Sequence, residues 1–166
     1  MKSKPLANPF HIVLVCPEIP PNTGNIGRLC VATATPLHLI DPLGFDISDP
    51  QVKRAGLDYW QHLALSRHKN LQAYLNNKPP EAPLALLTKK AERSLYDHKF
   101  IAGTHLIFGN ETSGLPEEML NRKDGVALRI PMVDDRVRSL NLSTAAGIVL
   151  YEAIRQMNSG VQDSIG

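Results

Sequence analysis

The chain has 166 residues, of which 43% are hydrophobic and 20% are charged, and its formal net charge is +2. This composition is typical of a soluble globular protein and excludes a disordered or collagen-like chain. The length fits a single domain over residues 1–166, with short tails at 1–9 and 158–166. The apolar runs are too short to span a membrane and no signal peptide is evident, so we expect a cytoplasmic protein with no membrane partner.

Cysteine and histidine give no indication of a metal site. Cys16 and Cys30 are the only cysteines and lack C-x-x-C spacing, so we interpret them as reduced core thiols. The six histidines are scattered along the sequence, and none has the paired spacing of metal ligands. We therefore expect no metal.

Strands and helices are predicted to alternate along the chain. The predicted strands are His11–Cys16, Leu37–Asp41, Leu63–Ser66, Leu84–Thr88, Thr104–Phe108 and Val126–Ile130. The predicted helices are Thr23–Ala34 with Asn22 as N-cap, a short helix opened by Asp49-Pro50 through Lys53–Tyr59, Asn70–Asn76 and Pro116–Asn121. This alternation predicts an α/β fold with a mainly parallel sheet and helices on both faces.

A last helix has the clearest periodicity in the chain. One apolar stripe is expected to pack in the core: Leu142, Ala145, Ala146, Val149, Leu150, Ala153, Ile154 and Met157. The opposite face carries Gly147, Ile148, Tyr151 and Arg155, and is more apolar than exposure to solvent explains. Either this helix is buried on two sides within the monomer, or its second face forms a subunit interface.

Three polar loops lie where a predicted strand meets a predicted helix: 20–28, 108–116 and 130–147. Because ligands bind at the carboxyl ends of strands in open α/β sheets, these loops predict one composite site. In the first loop, two glycines bracket Asn25, and Arg28 lies one helical turn beyond Gly24. This arrangement suits an anion at a helix N-terminus, or else Asn22 is a cap and Arg28 a surface residue.

The second loop argues against a nucleotide hydrolase. Gly109 and Gly114 have Walker-type spacing, but Leu115-Pro116 stand where the phosphate-binding Lys-Ser/Thr would be. Glu111 would repel a triphosphate and suits hydroxyl groups or a cationic ligand better. The dinucleotide fingerprint G-x-G-x-x-G is also absent, which argues against an NAD enzyme.

The third loop contains the arginines Arg136 and Arg138, followed by Ser139 and Asn141 at the start of the last helix. Helix capping alone could explain Asn141. The arginines are either solvated surface residues or contacts for RNA phosphates.

These motifs resemble a known family. The ordered set N-x-x-N-x-x-R, F-G-N-E-x-x-G-L and I-P-M…S-L-N-L-S resembles the three motifs of the SpoU branch of SPOUT RNA 2′-O-methyltransferases. The segments PEIPPNTGNIGRLC, RAGLDYW and YEAIRQ are similar to the subgroup of tRNA (cytidine/uridine-34) 2′-O-methyltransferases. The resemblance extends from His11 to about Met157.

The resemblance implies a C-terminal trefoil knot, a homodimer, S-adenosyl-L-methionine as cofactor, and methylation of the wobble nucleotide in the tRNA anticodon loop. The alternatives are 2′-O-methylation of another tRNA or rRNA position, or a non-catalytic RNA-binding or assembly factor with this fold. Short tails leave no appended RNA-binding domain, so the dimer itself is expected to bind the RNA.

Site residues follow from the same resemblance. It implies a catalytic role for Asn22, Asn25, Arg28, Glu111 and Asn141, a cofactor-binding role for Leu86, Gly109, Ile130 and Ser139, and phosphate contacts for Arg136, Arg138 and Arg155. Arg28 either activates the attacking hydroxyl or orients it while another group accepts the proton, because free guanidinium stays protonated. The chain departs from the subgroup pattern at Gly27, Val137 and Ile154.

Overall fold

The computed structural model describes residues 7–48, 50, 52, 54 and 57–159. Six strands form one sheet: β1 (His11–Val15), β2 (Leu37–Ile40), β3 (Leu65–His68), β4 (Leu84–Leu87), β5 (His105–Phe108) and β6 (Gly125–Leu128). Their order is β3-β2-β1-β5-β4-β6, and every neighbouring pair is parallel. All six predicted strands are present, with bounds that differ by one or two residues.

The helices surround this sheet. Those whose bounds fall within the described residues are α1 (Pro20–Thr33), α2 (Leu71–Asn77), α3 (Glu117–Leu120) and α4 (Leu142–Asn158), with 3-10 turns at Leu57–His62 and Leu95–Asp97. The predicted start of α1 was wrong, since Ile19 is the N-cap and the helix begins at Pro20. Proline is tolerated in the first helical turn because its missing N–H would have had no intrahelical partner. The predicted Asp49-Pro50 start cannot be compared, because Asp49 and Lys53 lie outside the described residues.

Two apolar clusters cover the two faces of the sheet. Along β1, Ile12 and Leu14 belong to the cluster that α1 and α4 cover, whereas Val13 and Val15 belong to the other. That second cluster includes Tyr74 of α2 and Met119 of α3. Because side chains alternate along a strand, β1, β2, β4 and β5 each contribute to both clusters. The prediction of helices on both faces is confirmed.

Helix α4 presents its predicted stripe to the core. Ala146, Val149, Leu150, Ala153 and Ile154 are buried, and the other three stripe residues pack against them. The opposite face of α4, which carries Gly147 and Tyr151, is not covered by the described part of the chain. Tyr151 is 52% exposed, and a Cβ added at Gly147 would meet no atom within 4 Å. Burial of α4 on two sides within the monomer is therefore wrong for the described chain.

The described parts of the two predicted tails contact each other. The Ala7 N–H donates to Asn158 Oδ1 over 2.9 Å, and Asn158 Nδ2 donates to the Ala7 carbonyl over 3.0 Å. Asn8 also donates through Nδ2 to the Thr33 carbonyl at the end of α1. No helix among the described residues is both long and apolar enough to cross a membrane.

Both cysteines are free thiols, as predicted. Cys30 is buried in the core, and burial raises the pKa of its thiol to about 12. Cys16 is only half-buried at the end of β1, where burial and then the nearby Asp41 raise its pKa. Both thiols are therefore protonated at neutral pH, as expected of unreactive cysteines.

Candidate active site

Glu111 anchors the start of α1 from a different loop. Its carboxylate accepts hydrogen bonds from the Glu18 N–H at 2.8 Å, the Ile19 N–H at 3.0 Å and Asn22 Nδ2 at 3.2 Å. A carboxylate is favourable at a helix N-terminus, where backbone N–H groups lack intrahelical partners. Both oxygens of Glu111 therefore accept hydrogen bonds from the protein, so this carboxylate holds the start of α1 in addition to lining the cavity described below.

Asn22 and Asn141 extend this contact to the third loop. Asn141 caps α4 by accepting from the N–H groups of Ser143 at 2.9 Å and Thr144 at 3.2 Å. Its amide Nδ2 donates to Asn22 Oδ1 over 2.9 Å. Asn22 is only 5% exposed, and these bonds satisfy both ends of its amide. A hydrogen-bonded chain from Glu111 through Asn22 to Asn141 thus links the three loops.

The 109–114 loop is a tight turn that requires glycine at both ends. A Cβ on Gly109 would lie 2.0 Å from the carbonyl carbon of Gly114, which has a left-handed φ of +70°. Asn110 Oδ1 accepts from the N–H groups of Ser113 at 2.7 Å and Thr112 at 3.2 Å. The turn is therefore held by its own polar groups. The backbone at Gly109 lies so close to the backbone at Gly114 that no side chain would fit between them.

A cavity of about 450 Å³ lies at the carboxyl ends of β4, β5 and β6. Its apolar wall comes from Leu87, Phe108, Leu128, Ile130, Met132, Leu142 and Ala145. Its polar wall comes from the 109–114 and 139–141 loops together with Asn22, Lys89 and Lys90. Ligand pockets typically measure about 300–1,000 Å³ and combine apolar walls with a few polar groups. We refer to this space as the site cavity.

Six of the nine residues for which a catalytic or cofactor role was predicted line the site cavity: Asn22, Gly109, Glu111, Ile130, Ser139 and Asn141. Leu86 does not line it. Its side chain is 1% exposed in the cluster on the opposite sheet face, and the next residue, Leu87, lines the cavity instead. Successive side chains on a strand point to opposite faces. Since Leu84–Leu87 is apolar throughout, no pattern of polar and apolar residues indicates which leucine faces the cavity.

Asn25 and Arg28 lie farther along α1, outside the site cavity. Both side chains are exposed. The Arg28 guanidinium carbon lies 5.3 Å from the ring centroid of Tyr59, a cation–π contact. This contact holds Arg28 on the exposed side of α1, two turns beyond Asn22.

Two of the three predicted RNA-binding arginines pair with neighbouring acids. Arg136 pairs with Asp134 in the exposed 131–139 segment, and Arg155 Nε lies 2.9 Å from Glu152 Oε2. Within the described part of the chain, Arg138 is exposed and makes no ion pair. The Arg136–Asp134 pair is exposed on both sides and contributes little stability, so Arg136 can exchange its acid for a phosphate at low cost. In the other pair the side chain of Glu152 is only 11% exposed.

The departures from the subgroup pattern have local structural settings. A Cβ on Gly27 would lie 2.7 Å from Cζ3 of Trp60, so glycine leaves space for that ring against α1. Ile154 is 4% exposed in the core beneath α4. Val137 is 59% exposed, and nothing in the structure explains the choice of valine there.

Comparison with known families agrees with the geometry of the site. A model described as the SpoU rRNA Methylase family matches residues 9–151, which is most of the chain. The chain belongs to the SpoU methylase family. Its parallel α/β fold is the one that the alternation of strands and helices predicted, and a solved SpoU methyltransferase is similar to it with a TM-score of 0.82.

Individual members of the SpoU family are similar over nearly the whole chain. A tRNA (cytidine(34)-2'-O)-methyltransferase of Saccharophagus degradans is 47% identical over 150 residues, covering 89% of this chain and 96% of the relative. A solved structure concerning 2-OH methylation of C/U34 on tRNA is 48% identical, with a TM-score of 0.86, and covers 90% of this chain and 97% of the other. The SpoU methyltransferase AviRb of Streptomyces viridochromogenes, solved with AdoMet, is 28% identical, with a TM-score of 0.80 and coverages of 94% and 64%.

Proposed function

We propose that this SpoU family member is a tRNA 2′-O-ribose methyltransferase that uses S-adenosyl-L-methionine to modify the wobble nucleotide, cytidine or uridine 34. Relatives that match nearly their full length carry this activity in their names. The observation on this chain that carries the proposal is the hydrogen-bonded chain from Glu111 to Asn141, which closes one side of the site cavity. It brings all three family motifs to one place.

The site cavity fits the cofactor by its chemistry. Apolar side chains such as Leu87 and Ile130 would hold the adenine, and the backbone at Gly109 and Ser139 would bind its polar edges. A close backbone approach is possible at Gly109 because no side chain projects there. When bound, the cofactor supplies an electrophilic methyl group. We assign cofactor binding to Gly109, Ile130 and Ser139, with Leu87 in place of Leu86.

Arg28 is proposed to hold the substrate rather than to accept its proton. A guanidinium remains protonated in proteins and donates well to hydroxyl and phosphate oxygens. Its place on the exposed side of α1 suits a group arriving from solution. Orienting a reactant within attack distance is itself a large contribution to catalysis. Asn25 lies one turn earlier on the same helix and would contact the same nucleotide.

The anticodon loop suits the exposed basic segment. Single-stranded loops present unstacked bases, whereas paired RNA hides them in a narrow groove. Arg136 and Arg138 lie in the exposed 131–139 segment that leads into the site cavity, and Arg155 lies on α4. We propose that these arginines contact phosphates, so tRNA binding should weaken steeply with added salt. A tRNA substrate also supports the cytoplasm as the compartment.

A homodimer through the second face of α4 is part of the proposal. Tyr151 is exposed there, and Gly147 leaves room for close approach of another chain. Ile148 packs partly against the monomer core, so a charge at Tyr151 tests the interface more cleanly. Tyr151→Glu should sediment as a monomer and should still unfold in one cooperative thermal transition, which would show that the variant is folded. A monomeric wild type at micromolar concentration would contradict the dimer.

The trefoil knot is likewise proposed from family membership.

The decisive experiment is nucleoside analysis of tRNA incubated with the enzyme and S-adenosyl-L-methionine. We expect 2′-O-methylcytidine or 2′-O-methyluridine at position 34, lost when the anticodon loop is replaced. Methylation mapped to the D-arm, the T-arm or rRNA would keep the chemistry and overturn the substrate. Cofactor binding without any RNA methylation would favour a non-catalytic RNA-binding or assembly factor.

Cofactor choice is tested separately by thermal denaturation. S-adenosyl-L-methionine should raise the melting temperature, because a ligand that binds only the folded state stabilises it. ATP and NAD should leave the melting temperature unchanged. A shift with ATP alone would contradict the assignment.

A further inference from the structure

Four of the six histidines gather on one face of the sheet, beside Tyr74 of α2. We call His11, His38, His68 and His105 the histidine cluster. These four histidines are scattered along the sequence but lie together in the structure, one each on β1, β2, β3 and β5. The imidazoles of His11 and His105 stack with centroids 4.4 Å apart, and those of His11 and His38 with centroids 5.2 Å apart.

Ring nitrogens in this cluster face one another at hydrogen-bond distance. His11 Nδ1 lies 2.9 Å from His38 Nε2, and His38 Nδ1 lies 3.1 Å from His68 Nε2. On the other side, the Tyr74 hydroxyl lies 2.7 Å from His105 Nδ1. A neutral imidazole has one N–H and one lone pair. Each facing pair of nitrogens must therefore share a hydrogen atom, or share a cation.

The cluster is well suited to present lone pairs. Burial lowers the pKa of His11, His38, His68 and His105, to about 4 for His38 and about 3 for His105. Neutral imidazole is the form that binds metal ions. His105 is only 2% exposed, while His11 and His38 are half-buried and can be reached from solvent.

We propose that His11, His38 and His105 bind a divalent transition-metal ion, with Zn²⁺ as the expected ion. One ring nitrogen from each of the three lies within 4.8 Å of the others. Zn–N bonds of about 2.0–2.1 Å in a tetrahedral site place ligand nitrogens roughly 3.3 Å apart. The planes of the three rings lie within 27° of one another, so the side chains must turn to point their lone pairs at one ion. Three imidazoles without a carboxylate favour a borderline ion over Mg²⁺ or Ca²⁺.

Two neighbouring side chains orient these ligands. When Nδ1 of His105 donates to the Tyr74 oxygen and Nδ1 of His38 donates to His68 Nε2, the Nε2 atoms of His105 and His38 carry lone pairs. Metal-binding histidines usually have their second nitrogen held in this way. On binding, the hydrogen of His11 moves from Nδ1 to Nε2, so Nδ1 of His11 and Nε2 of His38 both offer lone pairs.

This site is separate from the site cavity. His11 and His105 are the first residues of their strands, whereas the cavity lies at the carboxyl ends. An ion held by β1, β2 and β5 would tie together three neighbouring strands. Its role is therefore structural, and the inference does not depend on the proposed methyl transfer.

The test uses the full chain stripped with a chelator and then titrated with Zn²⁺ and, as a spectroscopic probe, Co²⁺. One Co²⁺ per chain should give visible d–d bands of a nitrogen-ligated ion, without the near-ultraviolet band of a thiolate ligand. Zn²⁺ at about one hundred times its Kd should raise the melting temperature by roughly 5–10 °C. His38→Gln should abolish both effects, and Tyr74→Phe should weaken binding roughly 10–100-fold.

The control is His62→Gln, which removes an exposed histidine on the 3-10 turn outside the cluster. It should bind Zn²⁺ and Co²⁺ as the wild type does. If His38→Gln does not fold, His11→Gln at the half-buried edge replaces it. No melting shift and no d–d bands in the wild type would overturn the proposal, as would equal binding by His38→Gln or a thiolate band.

Discussion

At the carboxyl ends of the strands, Glu111 and Asn141 satisfy backbone N–H groups, whereas in the histidine cluster side chains bond mainly to one another. The first arrangement fixes loops and helix starts, because its bonds end on the backbone. The second leaves the backbone to the sheet and places ring nitrogens on its surface. The buried polar groups at the carboxyl ends of the strands therefore shape the site cavity. Those of the histidine cluster instead present ring nitrogens that could bind a metal ion.

This difference also explains which arrangement the sequence reveals. Residues that hold a loop occur together within short segments, since a loop is continuous in sequence. Asn22, Glu111 and Asn141 each belong to such a segment. The members of the histidine cluster come one from each of four strands and are separated by about 30 residues. Only the register of the sheet brings them together.

The largest expected effect concerns the exposed side of α1. If Arg28 holds the reacting group, Arg28→Ala should lower turnover roughly 10²-fold, the loss expected when a reactant is no longer oriented for attack. Because Arg28 lies outside the site cavity, the Kd for S-adenosyl-L-methionine should change no more than about threefold. Single-turnover kinetics and calorimetry would measure the two quantities.

The matched control for Arg28 is Arg122→Ala, which removes an arginine that pairs with Asp124 before β6, away from the cavity. Its turnover should match that of the wild type. If Arg28→Ala lowered cofactor affinity as much as it lowered turnover, Arg28 would be a structural residue. The cavity and the exposed side of α1 would then not have separate roles.

A smaller effect is expected when the anchor of α1 is changed. Glu111→Gln keeps the shape but replaces one acceptor oxygen with a donor, so at least one N–H at the start of α1 loses its charged partner. Hydrogen bonds to charged groups contribute about 1.5–3 kcal/mol, so we expect a loss of about 2 kcal/mol and a melting temperature lower by roughly 4–8 °C. Scanning calorimetry measures both values.

Glu117→Gln is the control for this comparison, because Glu117 is exposed and only pairs with Lys90 over 3.4 Å. It should change the free energy of unfolding by less than about 0.5 kcal/mol. If both substitutions had the same effect, Glu111 would not anchor α1 in the way that its hydrogen bonds indicate.

The smallest effect is a pH dependence of stability from the histidine cluster, measured with a chelator present. The pKa of His38 is lowered from 6.5 to about 4 by burial and by the neighbouring His11 and His68. As the pH falls, His38 of the unfolded chain therefore binds a proton near pH 6.5, whereas His38 of the folded chain binds it only near pH 4. Stability is complete above that pH and falls as the pH decreases toward 4, by at most about 1.4 kcal/mol per unit for each such histidine.

Urea denaturation at several pH values would detect this contribution. His38→Gln should lower the slope of unfolding free energy against pH between about 6.5 and 4. Gln61→Asn, a control on the exposed 3-10 turn that removes no titratable group, should keep the wild-type slope. Equal slopes in all three proteins would mean that the cluster does not resist protonation, and that the two polar regions respond to acid alike.

Much of the fold could be predicted from local patterns. The stripe on α4 and the six strands follow from hydrophobic periodicity, because burial selects apolar residues at the period of the element. The wall of the site cavity was harder to predict, since Leu86 and Leu87 are the same residue type and only their orientation differs. The anchoring of α1 by Glu111 was not predicted, for another reason. Its partners at the start of α1 are 93 and 92 positions away, so no local signal records the contact.

The position of β5 beside β1 has a consequence for how the chain assembles. Strands β1, β2 and β3 pair in the order of synthesis, whereas β1 meets β5 only after a long excursion of the chain. Closing so long a loop costs more entropy, and contacts between distant residues slow folding. We therefore expect the first three strands to order early and the β1–β5 seam to close late. Glu111 reaches α1 across that same seam, so a nascent chain would carry Asn22 and Arg28 long before it could act on RNA.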